Sequence, residues 1–200
     1  MIGRSEIRRA LDGAWLLFLN RPEGMRQFDI SIEGFWRSFQ AIVLVAPAYA
    51  LTVIAKEQRT LADPAVRESF SQSIFFLDNL LVFGIDWITF PILLALAARP
   101  LGIAQAYPGY IIARNWSAVI SATPFAAIAL LTVLGIFGDQ ASAILWLAAL
   151  AVMLRYNFLV ARIALGTGIG PAVGIVVADF AVSLLIAGSI DSLFGLVGSQ

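Results

Sequence analysis

The sequence predicts an all-α, polytopic integral membrane protein, with five transmembrane helices preceded by an N-terminal interfacial amphipathic helix. Three observations carry that prediction. Of the 200 residues, 60% are hydrophobic and 13% charged, with a mean hydropathy of +0.88, far from the balance of a soluble domain. Five apolar runs are each long enough to cross a hydrocarbon core of about 30 Å. Extended polar chain is confined to the start, which divides the sequence into a cytoplasmic arm, residues 1–34, and a membrane domain, residues 35–200.

Composition also excludes whole classes of chemistry. The 13 basic and 13 acidic residues cancel, so no global basic field points to nucleic acid as a partner. Without Cys or His there are no disulfides, thiolate nucleophiles, histidine-held haem or zinc, or imidazole-dependent triads. No cofactor, metal site or catalytic residue is expected, and the chain does not read as an enzyme. Lys56 is the single lysine among the 13 basic residues. The arginine bias in an Ala-rich chain points to a GC-rich bacterial genome, and hence to the bacterial inner membrane.

In the arm, Ile7, Leu11, Trp15 and Phe18 recur at helical spacing from Ser5 to Leu19, with Ser5 as the expected N-cap. Arg4, Arg8 and Arg9 supply the basic membrane-surface group, a pattern suited to a headgroup layer. A signal peptide fits less well, because the apolar run from Ala14 to Leu19 is short and no small-residue cleavage site follows. Asn20-Arg21-Pro22-Glu23-Gly24 is turn chemistry, and the alternation from Phe28 to Glu33 predicts a short extended lead-in to the membrane.

The spans are predicted at 35–55, 70–98, 115–137, 141–165 and 171–190. Trp36 and Trp116 are the expected interfacial anchors of the first and third, while Pro47, Pro91 and Pro124 interrupt three successive spans as kinks or as broken transport helices. Polar chain from Lys56 to Ser69 joins the first two spans. Leu101 to Arg114 reads as an interfacial connector, Gly138-Asp139-Gln140 as a tight turn, and Gly166 to Gly170 as a flexible turn lacking the spacing of a phosphate loop. Nine arginines (4, 8, 9, 21, 26, 37, 99, 114 and 162) fall on the N-terminal side against Lys56, Arg59 and Arg67 on the other. That bias predicts a cytoplasmic N-terminus and, after five spans, a periplasmic C-terminus.

A charge at the centre of a span costs about 2.5–3.5 kcal/mol on insertion scales, so polar groups inside the spans are candidates for a task. Gln72, Asn79 and Asp86 recur at seven-residue intervals, which draws them into one stripe. Asp78 lies about 80° away around the helix and nearer the outer surface, so it is expected to be a hydrated outer-interface acid. On the fourth span Arg155 and Arg162 continue a line of small residues, Ala141 and Ala148. Counted from the shared turn, Arg155 is about 16 Å deep and Asp179 about 12 Å. The expectation is an intramembrane cluster in which Arg155 pairs with Asp179 and Asp86, with Asn79 adding hydrogen bonds. The cluster is either interhelical glue or a transport site using Asp86. The first functional expectation is a non-enzymatic assembly, scaffold or membrane-organising protein. The alternative is a small ion- or proton-coupled transporter or channel subunit. Expected partners are the lipid bilayer and a homo-oligomer or another membrane protein.

Overall fold

A computed structural model of the protein describes residues 3–68 and 70–194. Ser69, which ends the predicted polar connection, and residues 195–200, which carry the predicted periplasmic C-terminus, lie outside them. Among the described residues the chain is 84% helical and has no strand. Five helices are long and apolar enough to cross a membrane, covering 31, 26, 27, 27 and 25 residues, which marks a multi-pass membrane protein. Their outward faces carry large apolar side chains such as Leu96, Leu147 and Leu185, the surface that lipid requires.

Helix α1 (Arg4–Phe18) begins after Gly3 with no side-chain cap, so Ser5 is not the N-cap that its residue type predicts. Ala10, Gly13, Ala14 and Leu17 form its buried stripe, while Arg4, Arg8, Arg9 and Asp12 stay exposed. Asn20 turns the chain through a left-handed conformation, φ 60°, and a 3₁₀ turn at Pro22–Gln27 folds back on α1. The two backbones touch at glycines: a Cβ on Gly13 would lie 2.8 Å from the Gly24 carbonyl oxygen.

The predicted extended lead-in gives way to an early helix start. Ser31 Oγ accepts from Gly34 N at 3.0 Å and caps α2 (Ile32–Ser38), which runs through a 3₁₀ turn, Phe39–Ala41, into α3 (Ile42–Ala62). A short α4 (Pro64–Arg67) follows, capped by Asp63. Helix α5 (Gln72–Ala97) is the second span, α6 (Tyr107–Val133) the third, α7 (Asp139–Leu165) the fourth and α8 (Ile169–Leu193) the fifth. Gly166, at φ 60°, ends α7 in the left-handed position that glycine adopts without steric cost.

The largest departure from expectation is α6, which starts at Tyr107 instead of Asn115. Pro108 sits in its first turn, where the missing N–H would have no intrahelical partner. Read as loop punctuation, that proline hides the first two turns of the span. The same half of α6 is surrounded: Tyr110 to Ala113 and Asn115 to Ser117 are all buried against α1, α2, α3 and α7. Trp116 therefore belongs to the core and not to the membrane interface. Two buried hydrogen bonds tie this centre to its neighbours. Tyr156 Oη on α7 donates to Ala14 O on α1 at 2.6 Å, and Asn115 Nδ2 donates to Ser38 Oγ at 3.0 Å.

Candidate functional site

Three helices deliver charge to one depth. Counted from their ends on the α1 side, Arg114 is seven residues into α6, Asp179 ten into α8 and Asp86 eleven from the end of α5. At 1.5 Å per residue those depths are about 10, 15 and 16 Å, within the reach of an arginine side chain. Arg114 spans the difference. Its Nη2 donates to Asp179 Oδ1 at 2.8 Å and its Nε to Asp179 Oδ2 at 3.2 Å, a two-point ion pair with both side chains mostly buried. The guanidinium carbon also lies 5.2 Å from the centroid of the Phe90 ring. Asp86 does not share this pair: its Oδ1 accepts from Ser183 Oγ at 2.6 Å.

These groups line a partly open cavity of about 310 Å³ between α3, α5, α6, α7 and α8. Its wall is mixed. Asp86, Arg114, Asp179, Ser183, Asn157 and Ser121 supply polar atoms, while Tyr49, Phe83, Trp87, Phe125 and Phe180 supply aromatic surface. Trp87 Nε1 and Ser121 Oγ are buried without a hydrogen-bond partner. Leaving a buried polar group unmatched costs about 1–3 kcal/mol. Counted as ionised, two carboxylates and one guanidinium leave the cavity one negative charge.

The predicted cluster is therefore partly reassembled. Asp86 and Asp179 do share one site, but the arginine between them is Arg114, not Arg155. Arg155 is exposed on the outside of α7, with no ion pair among the described residues, because the α7 face turned towards the cavity carries Met153, Leu154 and Asn157. Residue counts fix the depth of Arg155 along α7 but not its rotation about the helix axis. The sequence does not single out Arg114 as a site residue, because a third span starting at Asn115 leaves it in the connector. A proline read as a first-turn residue would have brought it inside the span.

Asn79 lies apart from the charged pair, towards the α3–α5 connection. Its Nδ2 donates to Phe75 O at 2.7 Å, its Oδ1 lies 3.5 Å from Lys56 Nζ, and its carbonyl accepts from Tyr49 Oη at 3.0 Å. Gln72, the outer end of the predicted stripe, bonds Glu57 at 2.9 Å. Asp78 is not a hydrated surface acid: its exposure is 0%, and neither carboxylate oxygen has a hydrogen-bond donor. Helices α3 and α8 both pack against α5.

A second charged contact fastens the arm to the bundle. Arg37 Nε meets Glu6 Oε1 at 2.9 Å and Arg37 Nη2 meets Asp29 Oδ2 at 2.6 Å. Asp29, outside the spans, is held below the usual carboxylate range, first by the Ser31 backbone N–H at 3.0 Å, then by the Ser31 hydroxyl, with Arg37 and Arg9 adding attraction. Arg4, Arg8 and Arg9 themselves lie exposed on α1. No cluster of three or more metal-ligating side chains occurs among the described residues. Comparison with known protein families, curated proteins and solved structures finds no match to this chain.

Proposed function

We propose that this protein is a small proton- or cation-coupled transporter in which Asp86 is the charge-binding carboxylate. The observation that carries the reading is the cavity of about 310 Å³, between the five long apolar helices, that Asp86, Arg114 and Asp179 line together. A carboxylate held by a single serine inside a span is costly unless a cation or proton visits it. The cavity volume suits a small ligand, and the aromatic wall beside a net negative charge suits a monovalent cation. The exposed basic face of α1 supports an interfacial, amphipathic role for that helix. Arg4, Arg8, Arg9, Arg21, Arg26, Arg99 and Arg162 on its side, against Lys56, Arg59 and Arg67 opposite, support a bacterial inner-membrane location with a cytoplasmic N-terminus.

The test is flux in liposomes holding purified protein, driven by a pH gradient or a cation gradient. Wild type is expected to dissipate one of the two, and Asp86→Asn is expected to abolish the flux while keeping helicity and elution volume. Wild-type vesicles no leakier than protein-free ones would overturn the reading.

A scaffold or assembly role is the second reading, and Arg155 favours it. This exposed arginine lies about 15 Å from the α7–α8 turn at 1.5 Å per residue. Beside Ala148 and Ala151 on the same outer face, it is positioned to meet a carboxylate on a second copy or another membrane protein. Copurification of a partner at fixed stoichiometry, lost in Arg155→Ala and unaccompanied by flux, would favour this reading over transport.

A further inference from the structure

The Ser183–Asp86 hydrogen bond, 2.6 Å, sets the register between the antiparallel helices α5 and α8. Eight residues from Asp86 towards the start of α5 stands Asp78. Eight residues from Ser183 towards the end of α8 stands Asp191. Antiparallel packing therefore brings these two acids to the same level of the α5–α8 seam. Asp78 is wholly buried with both oxygens unpartnered. Two acids thus share one level at the far end of the same seam that holds Asp86.

Other groups around Asp78 do not neutralise the pair. Helix α3 contributes Lys56, whose Nζ is 3.5 Å from Asn79 Oδ1 and 5.5 Å from the Phe75 ring centroid, and Tyr49, whose hydroxyl donates to the Asn79 carbonyl. Helix α8 contributes Asp191. Arg114, the charged residue of α6, lies against Asp179 instead. One ammonium against two carboxylates leaves one negative charge to balance. A divalent cation is a poor match, since hard cations take about six to eight oxygens and no third acidic ligand joins the pair among the described residues. A proton needs only two facing oxygens.

We propose that Asp78 and Asp191 hold one proton between them and form the station through which protons exchange between the α3–α5 side of the membrane and Asp86. The relay part rests on the transport reading; the shared proton does not. A proton arriving on water breaks its O–H bond there and bonds to one carboxylate of the pair, removing one negative charge. Passing on, it leaves that charge behind and neutralises Asp86. The stations are about 12 Å apart along α5 at 1.5 Å per residue. Tyr49 stands in the interval, since it lines the cavity with Asp86 and its hydroxyl donates to the carbonyl of Asn79, the residue after Asp78.

The experiment is infrared spectroscopy of the purified full chain in lipid nanodiscs at neutral pH, with hydrogen–deuterium exchange identifying carboxylic-acid stretches. Wild type is expected to show a protonated carboxyl that Asp78→Asn and Asp191→Asn each remove and Asp86→Asn retains. Absence of the band from wild type, or its persistence in both outer variants, overturns the shared proton; the wild-type measurement decides even if a variant fails to fold. In liposomes Asp191→Asn is expected to slow proton flux about a hundredfold, the lower end of what a positioned proton-transfer group contributes. Unchanged flux in that variant overturns the relay. Wild-type vesicles without flux would instead overturn the transport reading and leave the shared proton standing.

Discussion

Arg114 and Asp179 are locked at two points, 2.8 and 3.2 Å, across the gap between α6 and α8. The sequence separates them by 65 residues, and α6 and α8 otherwise meet mainly through α5 and α7. Their contact therefore holds the cavity wall together from opposite sides. Removing one partner strands the other charge: Arg114→Gln or Asp179→Asn is expected to cost about 3–5 kcal/mol, whereas the paired replacement Arg114→Met with Asp179→Leu is expected to be close to neutral. SDS-driven unfolding of the detergent-solubilised protein measures both. A double variant as unstable as either single would show that the pair stabilises by more than mutual neutralisation.

Arg155 is the informative contrast, because it has the same charge in a span and no ion pair among the described residues. Exposed on α7, it is free to extend along the helix towards the headgroups. Arg155→Ala in the monomer is expected to change stability by no more than about 0.5 kcal/mol, the range of surface substitutions away from special features. The same unfolding assay checks this. A loss comparable with Arg114→Gln would mean that Arg155 is buried in the working protein.

These two arginines also mark what was legible from the residues. Hydropathy located five spans because lipid leaves little choice about where apolar runs go, and the depth of Asp86 and Asp179 followed from residue counts alone. Rotation about each helix axis did not follow. Helices that are apolar on every side carry little periodic signal, so nothing in the order of residues indicated that α7 turns Asn157 inward and Arg155 outward. Boundaries failed where a proline could either start a helix or end a loop, and Pro108 misassigned Arg114 for that reason. Asp78 was misjudged because depth was taken for hydration, although a neighbouring helix can dry a site close to the membrane surface.

The glycine contact between α1 and the 3₁₀ turn yields a prediction about the arm. A Cβ at Gly13 would sit 2.8 Å from both the Gly24 oxygen and the Gln27 Cβ, too close for either to remain. Gly13→Ala is expected to push the turn away from α1 and cost about 1–3 kcal/mol of local stability, the usual range for overpacking. Limited proteolysis reads it directly, as faster cleavage between residues 19 and 31 with the membrane spans unaffected. Cleavage at the wild-type rate would mean that the arm absorbs the methyl group elsewhere.

Acid should release the same arm from its other attachment. Asp29 has a folded-state pKa below its ordinary value of 3.8, so its bonds to Ser31 and Arg37 favour the docked arm fully above that ordinary value. The contribution then declines as pH falls and is lost once pH passes below the depressed folded value. Neutral and alkaline conditions leave it untouched, because the carboxylate is ionised in both docked and undocked states. Asp29→Asn is expected to weaken docking at neutral pH and to remove the part of the acid response that belongs to this carboxylate. Glu6 still holds Arg37 at 2.9 Å in that variant, so the arm should loosen without detaching. Protease sensitivity of residues 19–31, followed from neutral pH down to about pH 3, a range that spans the ordinary carboxylate values, tests the direction. An acid response equally large in wild type and Asp29→Asn would assign the release to another group.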